Sequence, residues 1–129
     1  MTTTWADIQE HMRGKYKLQD DRSDMMSMVW SYDDGRSQKI ILRKYKAFER
    51  EMLEFKSAFG HESDAPADEM IAKNAELPLA TIALSGGHYI VVYNALLRHL
   101  HLDDFDLYLS RIAAVADTLE EKYGSRDQF

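Results

Sequence analysis

The chain contains no cysteine, so a disulfide framework, a thiolate nucleophile and any cysteine-based metal site are excluded. The lack of disulfides is compatible with a reducing compartment. Long apolar runs are also missing. The longest, from Tyr89 to Leu97, is interrupted by Asn94 and is far too short to cross a bilayer. The opening MTTTWADIQEHMR has no apolar stretch of signal-peptide type, so the expected location is cytoplasmic, with no membrane partner. Basic residues are in deficit: 16 Lys and Arg stand against 22 Asp and Glu, a net charge of −6. That balance opposes extensive phosphate neutralisation, so no nucleic-acid partner is expected. The stretch Lys39, Arg43, Lys44, Lys46 and Arg50 reads as a solvated face. At 129 residues and 45% hydrophobic, the chain has the length of one domain, 1–129, with a proper core.

What remains is patterned. Thr4, with Asp7 three residues later, has the form of a capping box. Trp5, Ile8, Met12 and Tyr16 then share one helical face, and Gly14 weakens the last turn. Leu18 to Asp24 is polar and reads as a connection. From Met25 to Tyr32 the period changes to two, with Met26, Met28, Trp30 and Tyr32 alternating. Asp33-Asp34-Gly35-Arg36 supplies a tight turn, and Lys39 to Tyr45 forms the return strand. The next segment has two readings. Tyr45, Phe48, Met52, Phe55 and Phe59 recur at helical spacing, yet Leu53, Phe55, Ser57 and Phe59 alternate as in a strand, and periodicity leaves both open.

Beyond a loop at Gly60–Ala67, Pro66 suits the first turn of a short helix carrying Met70 and Ile71. Pro78 opens a strand over Leu79 to Leu84, and Ser85-Gly86-Gly87-His88 turns the chain into Tyr89 to Tyr93. Asp103 is expected to cap the last helix, with Leu102 and Leu107 as a hydrophobic staple. Phe105, Leu109, Ile112, Ala116 and Leu119 form its apolar stripe, and Gly124 ends it. The tail after Gly124 is expected to fray. Tight turns between neighbouring strands make the sheet mainly antiparallel, with helices packed on it, an α+β domain.

Few residues point to reaction chemistry. His99 and His101 would point the same way in an extended chain and could share a metal, the minor alternative of a metal-dependent enzyme. There is no HExxH, and His11, His61 and His88 are scattered. The carboxylates are accounted for by capping and solubility, Ser85-Gly86-Gly87 lacks a P-loop lysine, and Ser57 has no GxSxG context. The expectation is therefore no enzyme, no catalytic residue, no cofactor and no metal. Met25, Met26 and Met28 gather in one strand, where ordinary core filling outweighs an adaptable binding surface.

From Ser57 onward, three stretches carry a resemblance: Lys56-Ser57-Ala58-Phe59-Gly60, Ala72-Lys73-Asn74-Ala75-Glu76-Leu77-Pro78 and Ala83-Leu84-Ser85-Gly86-Gly87-His88-Tyr89-Ile90-Val91. They are followed by Leu97, Leu102, Phe105, Leu109 and Ile112 to Glu120. The chain resembles the type III secretion chaperone-like superfamily, especially its YbjN-like branch of sensory transduction regulators. The resemblance implies the order α-β-β-β-α-β-β-α with about five strands, and so a strand around Glu51 to Phe59. It also implies a protein or peptide partner, a homodimer and no catalytic residues. On that basis the expected function is a non-enzymatic chaperone-like or adaptor module that holds a polypeptide on an apolar sheet and helix surface, with Trp5, Met12, Met28 and Trp30 as its contacts. The alternative is a YbjN-like regulator of signalling or stress response that binds a folded partner.

Overall fold

The computed structural model describes residues 2–124; the tail expected to fray lies outside them. The N-terminal helix α1 (Trp5–Lys15) begins at the expected capping box. The Thr4 side chain accepts from the Asp7 backbone N–H, and the Asp7 carboxylate accepts from that of Thr4. Gly14 does not shorten it, and its basic last turn (Arg13, Lys15) suits the helix dipole.

Six strands follow rather than five. Strands β1 (Leu18–Asp21), β2 (Met25–Ser31), β3 (Ser37–Ala47), β4 (Arg50–His61), β5 (Thr81–Ser85) and β6 (His88–Leu96) form one antiparallel sheet in the order β1-β2-β3-β4-β6-β5. The additional strand, β1, occupies part of the segment read as a connection. It is four polar or half-buried residues long and is held by its pairing with β2, by Ser27 Oγ donating to Asp20 at 2.5 Å and by Lys39 Nζ 3.6 Å from Asp20. A short, charged edge strand of this kind resists further pairing.

The ambiguous segment is a strand. The turn joining β3 to β4 is two residues long, Phe48 and Glu49, with φ of 53° and 59°. Positive φ at both central positions matches the right-handed twist of a hairpin and is normally supplied by Asn-Gly. Here two residues with side chains carry it, and Phe48 is 94% exposed. Phe48→Asn combined with Glu49→Gly is expected to raise stability by about 1–2 kcal/mol by relieving that strain. A urea titration monitored by circular dichroism checks the gain. The other hairpin turns follow expectation, with φ of 88° at Gly35 and 58° and 80° at Gly86 and Gly87.

The connection from β4 carries α2 (Ala67–Lys73), with Pro66 at its N-cap rather than in its first turn, because its extended φ/ψ keeps it outside the helix. Strand β5 starts at Thr81, two residues later than expected. Leu79, with φ 69°, is the centre of a tight turn in which the Ala80 N–H donates to the Pro78 carbonyl at 2.7 Å. This γ-turn is an uncommon, strained conformation for a leucine.

The last helix, α3 (Leu102–Tyr123), is capped by His101 and not by Asp103. Because it starts earlier than expected, the staple positions fall to Leu100 and Phe105, both buried, while Leu107 is left exposed. Asp103 and Asp104 sit in the first turn, where their charges favour the dipole. The stripe of Phe105, Leu109, Ile112, Ala116 and Leu119 is buried as expected. At Gly124 an added Cβ would lie 2.7 Å from the Glu120 carbonyl oxygen, so the stop requires glycine for closeness rather than for a left-handed backbone.

The strand registers sort the side chains into two faces. Met26, Met28, Ile40, Leu42, Leu53, Phe55 and Val91 point one way and are buried, together with Trp5, Ile8, Met12 and the α3 stripe. Phe55 is central, with ring centroids 5.5 Å from Phe105, 5.8 Å from Tyr93 and 6.1 Å from Tyr108. The helices therefore cover one face of the sheet and leave the other open.

Candidate protein-binding surface

Three of the four residues expected to touch a partner lie in the core: Trp5 and Met28 are nearly inaccessible and Met12 fully so. Trp5 donates its indole N–H to the Ser23 carbonyl at 2.8 Å. Trp30 alone keeps some exposed surface and packs 6.1 Å from the Tyr16 ring. Alternation and helical spacing identify side chains that share a face; they leave open which face meets solvent.

His99 and His101 do not lie on an extended segment. His99 closes a 3-10 turn (Leu97–His99), with Arg98 donating to its ring at 3.3 Å, and His101 is the α3 N-cap, so the geometry that would have aimed both rings together is absent. Among the described residues, no three His, Asp or Glu side chains converge as a metal site would need. Ser57 is buried and its hydroxyl is committed, donating to the Lys39 carbonyl at 2.6 Å and accepting from Gln38 Nε2 at 2.8 Å.

The open face of the sheet is mixed. Val29, Ile41, Ala58, Ile90 and Val92 form half-buried apolar ground, and Ile41, Lys56, Ala58, Ser85, His88 and Ile90 line a shallow depression of about 250 Å³. Around it lie Arg43 with Glu54 at 3.2 Å and the Tyr45 hydroxyl donating to Asn94 Oδ1 at 2.6 Å, while Lys44 pairs with Glu51 at 3.5 Å on the opposite parity of the same strands. Arg43 also stacks over the Tyr45 ring at 4.5 Å, and burial pushes the Tyr45 hydroxyl above its ordinary pKa. Much of the basic stretch is thus neutralised in pairs. The outer edges of β1 and β5 have no neighbouring strand in the sheet order.

A polar junction ties α1 to α3. Asp106, part-buried, accepts from His11 Nε2 at 3.0 Å, from Lys15 Nζ at 2.9 Å and from the Tyr16 hydroxyl in a very short hydrogen bond. Burial alone would raise the Asp106 pKa, but hydrogen bonds from Tyr16, Lys15 and His11 outweigh it and hold the carboxyl below its ordinary range. Protons then bind the unfolded carboxyl more readily than the folded one. The stabilisation is present above the ordinary aspartate pKa and is lost as pH falls through the depressed one. Asp106→Asn is expected to lower stability at neutral pH and to flatten its decline below about pH 4. Urea midpoints measured across acid pH check both.

A concavity of about 540 Å³ lies between α3 and the segment that links α2 to β5. Leu77, Pro78, Ala114, Val115, Thr118 and Leu119 make an apolar floor, and Lys73, Arg111 and Lys122 stand on its rim with Glu76. No sequence expectation named it. Its α3 wall is legible as a helical stripe, but the opposite wall arrives from about forty residues earlier in the chain.

Comparison with solved structures decides the fold class. The chain superposes on a chain of the ExsC–ExsE complex with a TM-score of 0.66 over 94% of this chain and 96% of the other, at 12% identity. It superposes on a chain of the HopA1–SchA chaperone–effector complex with a TM-score of 0.64 over 89% of each, at 16% identity. The fold is type III secretion chaperone-like. The helix–sheet–helix frame implied by the resemblance is thereby confirmed, with six strands in place of five. No protein-family model matches the chain, and no curated protein matches it. No helix among the described residues is long and apolar enough to cross a membrane.

Proposed function

We propose that the protein is a non-enzymatic module that binds a partner polypeptide, chaperone-like or adaptor in character, on the uncovered face of its sheet and its β5 edge. The observation that carries this reading is the one-sided packing of the sheet. The helices bury one face, leaving Val29, Ile41, Ile90 and Val92 and the outer edge of β5 for an extended segment to meet by side-chain pockets or strand addition. Both solved relatives of the same fold were determined as complexes with a protein partner, one described as chaperone and effector. A cytoplasmic, homodimeric protein of the YbjN-like kind is the finer form of the proposal, and light scattering on a size-exclusion column tests the dimer. Apolar area must offset the ordering entropy of a disordered client, so the half-buried valines and isoleucines of the open face supply the affinity.

The test is affinity purification of the tagged protein from native cells beside an Ile41→Glu, Ile90→Glu variant. A partner retained by the parent and lost from the folded variant supports the reading. An equal yield from both excludes the open face. An unfolded or secreted client indicates chaperoning, whereas a folded cytosolic one indicates the regulatory role.

A further inference from the structure

The groove beside α3 is separate from the open sheet face and has a different character. Its α3 wall consists of Arg111, Ala114, Val115, Thr118, Leu119 and Lys122. These six positions form two overlapping sets at i, i+3, i+4 and i+7: Arg111, Ala114, Val115 and Thr118, then Val115, Thr118, Leu119 and Lys122. Four residues in that relation are what one helix offers as a hole to a side chain of another helix. Ala114 and Thr118 are small enough to let a second backbone come close. Across the groove, Leu77 and Pro78 close the far side, and the next residue is the strained, partly exposed Leu79.

Charge selects among helices. In a chain of net charge −6, the lining of this groove carries three cations and one carboxylate. That carboxylate, Glu76, is 3.7 Å from Lys73. Among the described residues neither Arg111 nor Lys122 has a carboxylate partner, and Lys122 lies over the Tyr123 ring at 5.2 Å. The two are eleven residues apart on α3, about 16 Å along the axis. We propose that this groove docks an acidic amphipathic helix of a partner protein. Two of the partner's apolar side chains, four residues apart, fill the two holes, and carboxylates about three turns apart meet Arg111 and Lys122. An extended segment would not match the i, i+4 spacing of the holes, and a basic helix would meet the rim with like charge.

The probes are synthetic helical peptides of about fourteen residues that share one leucine stripe at i, i+4 and i+7. One has glutamates bracketing the stripe, one has lysines there, and one glutamate peptide carries a central proline. Binding is followed by fluorescence anisotropy and by amide chemical shifts of the full-length protein. The glutamate peptide is expected to bind about 5- to 10-fold more tightly than the lysine peptide, with the difference shrinking in high salt. The proline peptide should lose binding, and the shifts should centre on Ala114, Val115 and Thr118. Arg111→Glu with Lys122→Glu should invert the charge preference, and Ala114→Gln should block binding by filling a hole. Both are surface changes whose folding is checked by circular dichroism. Equal binding of both charge types, retention of the proline peptide or shifts located elsewhere would overturn the proposal. So would concentration-dependent dimerisation through these residues, which would make the occupant a second copy of the chain.

Discussion

Replacing Arg36 with alanine is expected to remove about 3–5 kcal/mol of stability, the cost of breaking a shielded ion-pair cluster by taking out its guanidinium. Arg36 follows the β2–β3 turn and reaches under the far end of α3. Its Nε lies 2.9 Å from Asp117 Oδ1, and its Nη2 lies 3.1 Å from Glu120 Oε1. Glu120 is only 1% exposed, and Arg36 and Asp117 are themselves mostly shielded. A pair on the surface would matter little, because water screens it and the side-chain entropy lost in holding it offsets the gain. Here, removing the guanidinium takes charge-assisted hydrogen bonds from two carboxylates that water reaches poorly. Urea denaturation of Arg36→Ala measures the loss. Arg36→Ala combined with Glu120→Gln should recover part of it, because the second change removes a buried charge that has lost its guanidinium contact. If the double variant were no more stable than the single one, the loss would come from the packing of the arginine stem and not from the charge.

The same junction fixes the C-terminal half of α3 on the β2–β3 hairpin, and it shows which features were legible without coordinates. The Asp33–Arg36 turn was readable because Gly35 meets a local requirement for positive φ. The role of Arg36 was not, because its acceptors lie more than eighty residues further on. Strand β1 escaped notice for a related reason. Leu18-Gln19-Asp20-Asp21 has no alternating apolar pattern, and it is a strand because β2 and the hydroxyl of Ser27 lie beside it. At the start of α3, three aspartates in four residues pointed to a cap two residues too late. Asp106 instead turns inward to serve Tyr16, Lys15 and His11 on another helix.

The binding surface was less legible than the fold. Trp5, Met12, Met28 and Trp30 were correctly placed on shared faces, but those faces became the interior once α1 and α3 settled on the same side of the sheet. The residues left outside, Val29, Ile41, Ile90 and Val92, belong to the opposite parity of the same strands. Choosing between the two sets needs the location of the helices, which no local pattern contains. The α3 groove had a local signal, since Arg111, Val115, Thr118 and Lys122 lie along one face of a single helix. The apolar stripe beside them attracts the eye first because it is longer and wholly apolar.

Two phenylalanines from the segment with two sequence readings provide the second large prediction. Phe48 and Phe55 sit seven residues apart, so a helix would place them on one stripe in similar surroundings. In the strand they have opposite fates: Phe48 is 94% exposed at the hairpin tip, and Phe55 is fully buried between Tyr93, Phe105 and Tyr108. Phe55→Ala is expected to cost about 3–5 kcal/mol, through lost transfer free energy plus the cavity left among rings that cannot all collapse inward. For a domain whose whole stability is about 5–15 kcal/mol, that is a large share of the total. Phe48→Ala should change stability by less than about 0.5 kcal/mol, as an exposed side chain does. Urea unfolding curves of the two variants, recorded side by side, give the comparison. Losses of similar size would contradict a strand from Arg50 to His61, and with it the face assignments on which the open binding surface depends.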